Sequence, residues 1–367
     1  MTTVVFRGAS CLAANAEALR LGTKCLIVTG RHSAVKSGAL RDVTAALNAM
    51  SIPFTVYNGI TENPLLSHCR EAAEMARDFG ADFIVGIGGG SPLDAAKAVA
   101  VLAYEPDMEV SKLYDATAEK PCLPIAAIPL TAGTGSEVNR YSVLTIGEKK
   151  LSFSTPDTLP RVAFLDPRYL RTLNAEYTLS TALDAFCHCI ESFLSPKSTP
   201  ESEENALRGG ALLWELLTTH DFTPNDRDGA GLTEEERLLS LEAAACGGLA
   251  IKVTGTGFPH PLGYGLTLRN GIPHGRACGA FIGVYVACNL LTEEGEKRLN
   301  RFAEALGTTP DMIGAVIPAL ADVNLTLSEA EIASMAEKVA GAKNYQNAPY
   351  LLTDEEAIVI LTELFGL

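Results

Sequence analysis

The sequence has few cations and no long apolar run. Lys and Arg total 29 against 44 Asp and Glu, which gives a formal net charge of −15. This excess of negative charge argues against nucleic acid or an anionic membrane surface as a partner. No uninterrupted apolar stretch reaches the roughly 18 residues that a membrane span needs. The first residues also lack a basic segment followed by an apolar one, so we expect neither a membrane span nor a signal peptide.

The nine cysteines lack the patterns of metal knuckles and disulfide frameworks. None forms a Cys-x-x-Cys pair, and the number is odd. The hydrophobic share of 47% and the charged share of 20% are typical of a well-packed globular protein. A chain of 367 residues accommodates two domains. We therefore expect a reduced, two-domain protein in the cytoplasm.

The pattern of secondary structure changes near residue 175. In the first part, short β-branched runs alternate with helical segments, which is typical of βαβ units and a parallel sheet. The runs that read as buried strands are Cys25–Thr29, Phe54–Tyr57, Phe83–Ile87, Ile125–Ile128 and Val162–Leu165. From about Tyr177 only helical patterns occur. The sequence predicts a Rossmann-like α/β domain over residues 1–175 and an all-α domain over residues 176–367.

The clearest motif before residue 100 is a run of three glycines between a strand and a helix. Gly88, Gly89 and Gly90 follow the strand, and Ser91-Pro92 opens the helix as its expected N-cap and first residue. Asp94 then stands where a carboxylate favours the positive helix end. Bare glycine backbone and helix N–H groups suit a pyrophosphate, although a ligand-free tight turn is the alternative.

Two further strand ends support a dinucleotide site. The loop Pro129–Glu137, read as PLTAGTGSE, offers the hydroxyls of Thr131 and Thr134 to a carboxamide and ribose. After the first predicted strand, Gly30, Arg31 and Ser33 stand where an acidic residue would accept from a ribose 2′-hydroxyl. The missing carboxylate and the added cation favour NADP(H) over NAD(H), with an ordinary solvated basic loop as the alternative.

Metal-ligand residues are concentrated in the helical part. Asp184 and His188 are four residues apart in a helical segment and therefore share one face. His260 and His274 follow downstream, so three of the six histidines of the chain join this pattern. One carboxylate and three imidazoles suit Fe²⁺ or Zn²⁺. A single Asp–His pair is typical of a surface or capping contact, and a lone histidine is usually just hydrogen-bonded. The joint occurrence of these residues with two nucleotide loops favours a metal site.

Together these motifs resemble the iron-dependent (group III) alcohol dehydrogenase family. The resemblance rests on GGGSPLDAAK at 88–97, TAGTGSE at 131–137, DxxxH at 184–188 and GIPHGRA at 271–277. It implies Fe²⁺ as the metal, with Zn²⁺ as an alternative, and a homodimer or larger homo-oligomer. The residues that it implies as metal ligands are Asp184, His188, His260 and His274. Those that it implies for the cofactor are Asn63, Gly88 to Pro92, Thr131, Thr134 and Lys150.

The chain departs from the family pattern at two positions. Gly30 stands where members that prefer NAD often have Asp, and Tyr264 stands where many have a second histidine. Tyr264 is therefore a weak candidate for proton transfer. We expect reduction of a small uncharged aldehyde, or oxidation of the corresponding alcohol, in a pocket lined by Phe153, Phe258 and Leu262. A glycerol-dehydrogenase-like polyol oxidoreductase with zinc and a non-catalytic metal- and nucleotide-binding protein are the alternatives.

Overall fold

The computed structural model describes residues 2–147, 149–223, 228–339 and 342–366. The chain divides into two compact units. Unit 1 comprises Met1–Ala175 and Pro224–Ala245, and unit 2 comprises Glu176–Thr223 and Cys246–Leu367. Within the described ranges no single helix is both long and apolar enough to cross a membrane, although Glu234–Thr254 and Pro259–Asn270 meet the length and composition test as a bent pair.

Unit 1 contains a six-stranded sheet in the order β1-β8-β5-β4-β2-β3, in which all neighbouring strands are parallel. A separate antiparallel hairpin is formed by β6 and β7. The strands are β1 (Val4–Arg7), β2 (Cys25–Gly30), β3 (Phe54–Ile60), β4 (Phe83–Gly88), β5 (Ile125–Pro129), β6 (Tyr141–Ile146), β7 (Lys149–Ser154) and β8 (Val162–Leu165).

Helices cover both faces of this sheet. They are α1 (Cys11–Ala14), α2 (Ser33–Lys36), α3 (Ala39–Ala49), α4 (Leu66–Phe79), α5 (Gly90–Tyr104) and α6 (Val110–Tyr114), with 3₁₀ turns at Ala16–Leu19, Pro156–Thr158, Pro167–Leu170 and Asp228–Gly231. Along β2, Leu26 and Val28 belong to the core on the side of α4 and α5, whereas Cys25 and Ile27 belong to the core on the side of α3. Burial on both faces explains the nearly continuous apolar runs of the central strands.

Unit 2 is helical. Its helices are α7 (Ala175–Leu194), α8 (Pro200–Thr219), α9 (Glu234–Thr254, of which residues to Ala245 count with unit 1), α10 (Pro259–Asn270), α11 (His274–Gly279), α12 (Ile282–Leu290), α13 (Glu293–Ala305), α14 (Pro310–Ala321), α15 (Glu329–Val339) and α16 (Asp354–Phe365), with a 3₁₀ turn at Lys343–Gln346. Phe302 of α13 packs against Phe186 and Phe193 of α7, with ring centroids 6.0 and 5.4 Å apart. This aromatic contact anchors α7, the helix that carries the first metal-ligand candidates.

The predicted fold class is confirmed, with three local differences. The sequence interpretation did not include β1 or the β6–β7 hairpin, and it left the segment around His260 unassigned, where α10 lies. Pro259 and Pro261 fit in α10 because the first turn of a helix has no partners for its N–H groups. The helical pattern of the sequence over residues 275–291 is divided between α11 and α12, since the N–H of Phe281 bonds to the carbonyl three residues back.

Candidate metal centre and nucleotide-binding loops

Helix α7 supplies a carboxylate and an imidazole to one buried point. Asp184 and His188 are only 4% and 5% exposed. His188 Nε2 lies 3.7 Å from Asp184 Oδ1, as expected for residues one helical turn apart. The burial separates this pair from an ordinary surface ion pair.

The other two histidines predicted from the sequence converge on the same carboxylate. His260 on α10 and His274 at the start of α11 bring their Nε2 atoms to 3.5 and 3.9 Å from Asp184 Oδ1. The His260 ring stacks on His188 at 4.8 Å between centroids and lies edge-on to His274 at 5.5 Å. Residues more than 70 positions apart in the chain therefore place their donor atoms around one point in unit 2.

The donors in this cluster fit a divalent cation. Asp184 Oδ1 and His260 Nε2 are fully buried and have no hydrogen-bond partner among the described residues. An unsatisfied buried acceptor costs free energy, so its presence calls for a ligand. Carboxylate oxygen and imidazole nitrogen are donors that Fe²⁺ and Zn²⁺ accept. The four side chains can hold such an ion.

The charges inside the cluster compensate one another. Burial by itself would raise the pKa of Asp184, but His188, His260 and His274 outweigh it and hold the pKa below its usual range. Burial would lower the pKa of His260, whereas Glu191 and Asp184 raise it to about 10. The buried carboxylates and the imidazoles therefore stabilise each other's charged forms.

Glu191 is a part of the site that the sequence interpretation missed. Its carboxylate is fully buried and accepts from the Gly257 N–H at 2.6 Å, and one of its oxygens lies 2.8 Å from His260 Nδ1. A carboxylate on the far nitrogen of a ligating histidine fixes the tautomer that directs Nε2 to the metal. The signal was present in the sequence, because Asp184, His188 and Glu191 at i, i+4 and i+7 share one helix face.

Tyr264, the weak candidate for proton transfer, lies beside the metal-ligand candidates. It is partly exposed, one turn after His260 on α10. Its ring stacks on His274 with 5.4 Å between centroids and a 21° interplanar angle. The hydroxyl of Thr267, one turn further along α10, lies 3.4 Å from His274 Nδ1. Tyr264 and Thr267 therefore hold the His274 ring from two sides.

The residues expected to line a substrate pocket are instead core residues. Phe258 is 0% exposed and meets Tyr285 edge-on, with 4.9 Å between ring centroids. Leu262 is 1% exposed, and Phe153 is buried in unit 1 against Tyr114. The expectation that these three side chains form an apolar substrate surface is corrected, because they pack into the hydrophobic core and expose at most 4% of their surface.

In unit 1, the triple glycine packs against the second predicted nucleotide loop. A Cβ atom at Gly89 would lie 3.2 Å from Thr131 Cγ2, and one at Gly90 would lie 2.6 Å from Thr134 Cγ2. At Gly88 an added Cβ would collide with the Pro92 ring at 2.3 Å. Gly88 is therefore required by the turn into α5, and Gly90 by the close approach of the two loops. This approach brings both predicted cofactor loops to one edge of the sheet.

The start of α5 differs from the predicted capping. The helix begins at Gly90 with Gly89 as its N-cap, so Ser91 lies inside the first turn. The Ser91 hydroxyl accepts a hydrogen bond from the Asn63 N–H at 3.2 Å. Asn63 has a φ of 54°, a left-handed conformation that non-glycine residues adopt at a cost. Two residues assigned to the cofactor are thus joined at the end of β4.

Asp94 accepts hydrogen bonds from two other segments of unit 1. Its Oδ1 accepts from the Ser136 hydroxyl at 2.6 Å and its Oδ2 from the Val143 N–H at 2.9 Å. Burial raises the pKa of Asp94, and Lys97 and Lys150 oppose this. Both carboxylate oxygens therefore have protein donors, so Asp94 ties α5 to the second loop and to the hairpin. Asp94 can serve the predicted cofactor site through these contacts, which hold the triple-glycine loop and the second loop together.

Lys97, which the sequence interpretation passed over, completes the same network. It is 1% exposed and donates to Ser136 Oγ at 2.6 Å, Asn139 Oδ1 at 3.3 Å and the Tyr141 carbonyl at 2.7 Å. Burial lowers the pKa of Lys97 to about 8 against the opposing effect of Asp94. A buried ammonium with its donors satisfied fixes the loop geometry after β5.

Two of the residues predicted to select between NADP(H) and NAD(H) lie at the surface, at the end of β2. Arg31 and Ser33 are exposed just beyond the strand. A Cβ atom at Gly30 would lie 3.3 Å from the carbonyl of Ile60, so a side chain at this position needs a small shift of β3. Lys150, predicted to contact the ribose, is a partly buried residue of β7.

Both halves of the chain match models of known protein families. Residues 2–167 match the family model described as iron-containing alcohol dehydrogenase, and residues 178–365 match the model for the C-terminal part of that family. The chain is therefore an alcohol or aldehyde oxidoreductase. Within this class it belongs to the iron-containing alcohol dehydrogenase family.

Similar proteins extend over most of the chain. The iron-containing alcohol dehydrogenase of Thermotoga maritima is 35% identical with a TM-score of 0.90, over 100% of this chain and 98% of that one. The sulfoacetaldehyde reductase of Bifidobacterium kashiwanohense, solved with NAD⁺, is 28% identical with a TM-score of 0.84, over 99% and 97%. The 4-hydroxybutyrate dehydrogenase of Cupriavidus necator is 31% identical over 71% of this chain and 68% of its own length.

Proposed function

We propose that the chain is a metal-dependent, NAD(P)-linked alcohol dehydrogenase that acts as an aldehyde reductase on small uncharged substrates. The observation that carries this proposal is the convergence of Asp184, His188, His260 and His274 on one buried point with two donor atoms left unsatisfied. Resemblance to the family favours Fe²⁺ as the metal, and the donor set suits Zn²⁺ as well.

The chemistry follows from these groups. When bound, a divalent cation supplies Lewis-acid polarisation of the substrate oxygen and a nicotinamide supplies or accepts the hydride. Asp184 contributes a carboxylate whose low pKa keeps it ionised, and Glu191 orients His260. Tyr264, stacked on His274, is the proposed side chain for proton exchange with the substrate oxygen.

We further propose NADP(H) as the preferred cofactor, with NAD(H) as the alternative. Gly88 to Pro92 would hold the pyrophosphate, Asn63 the adenine-side ribose or phosphates, and Thr131, Thr134 and Lys150 the nicotinamide end. Exposed Arg31 and Ser33 at the end of β2 support recognition of a 2′-phosphate, and Gly30 supplies no carboxylate to repel it. A homo-oligomeric state stays an expectation of the resemblance, and native mass measurement tests it. A cytoplasmic location stays an expectation of the cysteine pattern.

The test of the function is reduction of propanal by protein that has been stripped of metal and reloaded anaerobically. We expect oxidation of NADPH only after Fe²⁺ or Zn²⁺ is restored, and a lower rate with NADH. Glycerol oxidation in parallel tests the polyol alternative. Metal-loaded protein that binds NADPH but reduces no aldehyde of a broad panel would favour a non-catalytic role. Full activity after metal removal would contradict the proposed chemistry.

A further inference from the structure

A fifth potential metal donor lies in the centre of unit 2. Cys278 is buried and follows His274 by four residues on α11, so the two side chains share one face of that helix. Its Sγ atom lies 3.8 Å from both ring nitrogens of His274. The sequence interpretation gave Cys278 no role.

The sulfur is positioned as a ligand would be. One donor atom from each of Asp184, His260, His274 and Cys278 lies within 4.8 Å of the other three. With oxygen and nitrogen at about 2.1 Å from an ion and sulfur at about 2.3 Å, neighbouring donors are about 3–3.5 Å apart. A small contraction around an ion would therefore bring all four atoms to coordinating distance.

Independent observations indicate that this point receives a ligand. Asp184 Oδ1 and His260 Nε2, both from side chains more than nine-tenths buried, have no hydrogen-bond partner among the residues that the structure describes. They belong to the same four-residue group as Cys278. The cysteine therefore shares its surroundings with two buried donors that a cation would satisfy.

We infer that Cys278 donates its sulfur to the metal, which makes the centre a mixed carboxylate, imidazole and thiolate site for a thiophilic divalent cation. This inference rests on the proposed metal site and refines its donor set. Cys278 loses its proton to solvent when the metal–sulfur bond forms. Thiolate favours Zn²⁺ and Co²⁺ over Mn²⁺, which prefers oxygen ligands. His188, 3.7 Å from Asp184 Oδ1, supplies a further nitrogen donor to the same centre.

Cobalt substitution tests the inference through absorption, independently of activity. Metal-free protein is titrated anaerobically with Co²⁺, and the spectra of wild type, Cys278→Ser and Cys189→Ser are compared. We expect a near-ultraviolet sulfur-to-cobalt charge-transfer band in wild type. Cys278→Ser should lose this band and keep the visible d–d bands, whereas Cys189→Ser, altered at a buried cysteine of α7, should keep both.

Affinity gives a second readout. Replacement of Cys278 by Ser should raise the Kd for Zn²⁺ about tenfold or more and change the Kd for Mn²⁺ by less than about threefold, because only the soft donor is lost. Two results would overturn the inference and leave the metal site intact. One is a wild-type spectrum with visible cobalt bands but no charge-transfer band. The other is a charge-transfer band that persists in Cys278→Ser. Failure of wild type to bind Co²⁺ at all would overturn both.

Discussion

At the scale of single residues, the proposed metal centre depends on Glu191 as much as on its ligands. This buried carboxylate holds His260 Nδ1 at 2.8 Å and thereby directs Nε2 towards Asp184. A neutral amide at this position would make the imidazole less basic. We expect Glu191→Gln to weaken Zn²⁺ binding by about 10- to 100-fold.

Competition with a chromophoric chelator measures this effect. Ser192→Ala is the matched control, since Ser192 is buried beside Glu191 on α7 and its hydroxyl accepts from Thr254. The control should bind Zn²⁺ as wild type does. Equal affinities of wild type and Glu191→Gln would show that the carboxylate does not orient the ligand.

Arg31 is the residue that tests cofactor choice. It is exposed beyond β2 and would contact a 2′-phosphate that NADH lacks. Loss of one charge-assisted contact costs about 1.5–3 kcal/mol, so Arg31→Ala should raise the NADPH KM by about 10-fold or more and leave the NADH KM nearly unchanged. Steady-state kinetics with both cofactors measures the two values. Equal changes in both would dismiss 2′-phosphate recognition at this position.

At the scale of elements, the approach of α11 to α7 is set by a glycine. A Cβ atom at Gly275 would lie 1.7 Å from the Ser180 carbonyl oxygen, so any side chain would force the two helices apart. Because this contact is next to His274, separation would also move a metal ligand. We expect Gly275→Ala to lower the free energy of unfolding by about 3 kcal/mol, the upper end of what overpacking usually costs, and to abolish stoichiometric metal binding.

Gly279 is the control on the same helix. An added Cβ there would meet Ala321 Cβ at 3.3 Å, a contact that a small shift relieves. Gly279→Ala should therefore cost less than about 1 kcal/mol and keep the metal. Denaturant unfolding and metal analysis of both variants provide the comparison. A stable, metal-binding Gly275→Ala protein would refute the packing argument.

Some helices and strands could be predicted from the sequence and others could not. Buried strands such as β4 were predictable because both faces are covered, which leaves a continuous apolar run. By contrast, β1 (Val4–Arg7) has four residues and pairs only with β8, more than 150 positions away. Helix α10 contains two prolines and two glycines, so local propensity opposes it and tertiary packing decides. His260 was nevertheless singled out as a metal-ligand candidate, because this depended on its imidazole and on the family resemblance and not on the prediction of its helix.

At the scale of the whole molecule, the helical pattern after residue 175 does not reveal that one segment belongs to unit 1. Pro224–Ala245 counts with unit 1, although the sequence around it reads as one more helix of the second part. A hydrophobic pattern tells which face of a helix is buried and not which core buries it. Long-range assignments of this kind need the folded chain.

Stability against pH should reflect Glu137, a carboxyl that is 2% exposed in unit 1. Burial raises the pKa of Glu137 to about 7. Its protonated form therefore stabilises the fold below the unfolded pKa of about 4.3, and this contribution is lost as the pH rises through 7. Glu137→Gln, which cannot ionise, should raise the free energy of unfolding at pH 8 by about 1–3 kcal/mol.

Urea denaturation at pH 5 and pH 8 checks the sign. The gain of Glu137→Gln over wild type should be small at pH 5 and larger at pH 8. Glu242→Gln, which alters a carboxylate paired with exposed Arg7 at 3.2 Å, is the control and should show no such gain. A gain at pH 5 that exceeds the gain at pH 8 would contradict the raised pKa of Glu137.

The central claim is that Asp184, His188, His260 and His274 together bind one cation. Anomalous diffraction from crystals loaded with Fe²⁺ or Zn²⁺, recorded on both sides of the absorption edge of the metal, tests this claim most directly. We predict one strong peak per chain about 2.0–2.2 Å from the Asp184 oxygen and the histidine nitrogens. An empty position among these side chains in metal-loaded crystals, or a single peak elsewhere in the chain, would contradict the account.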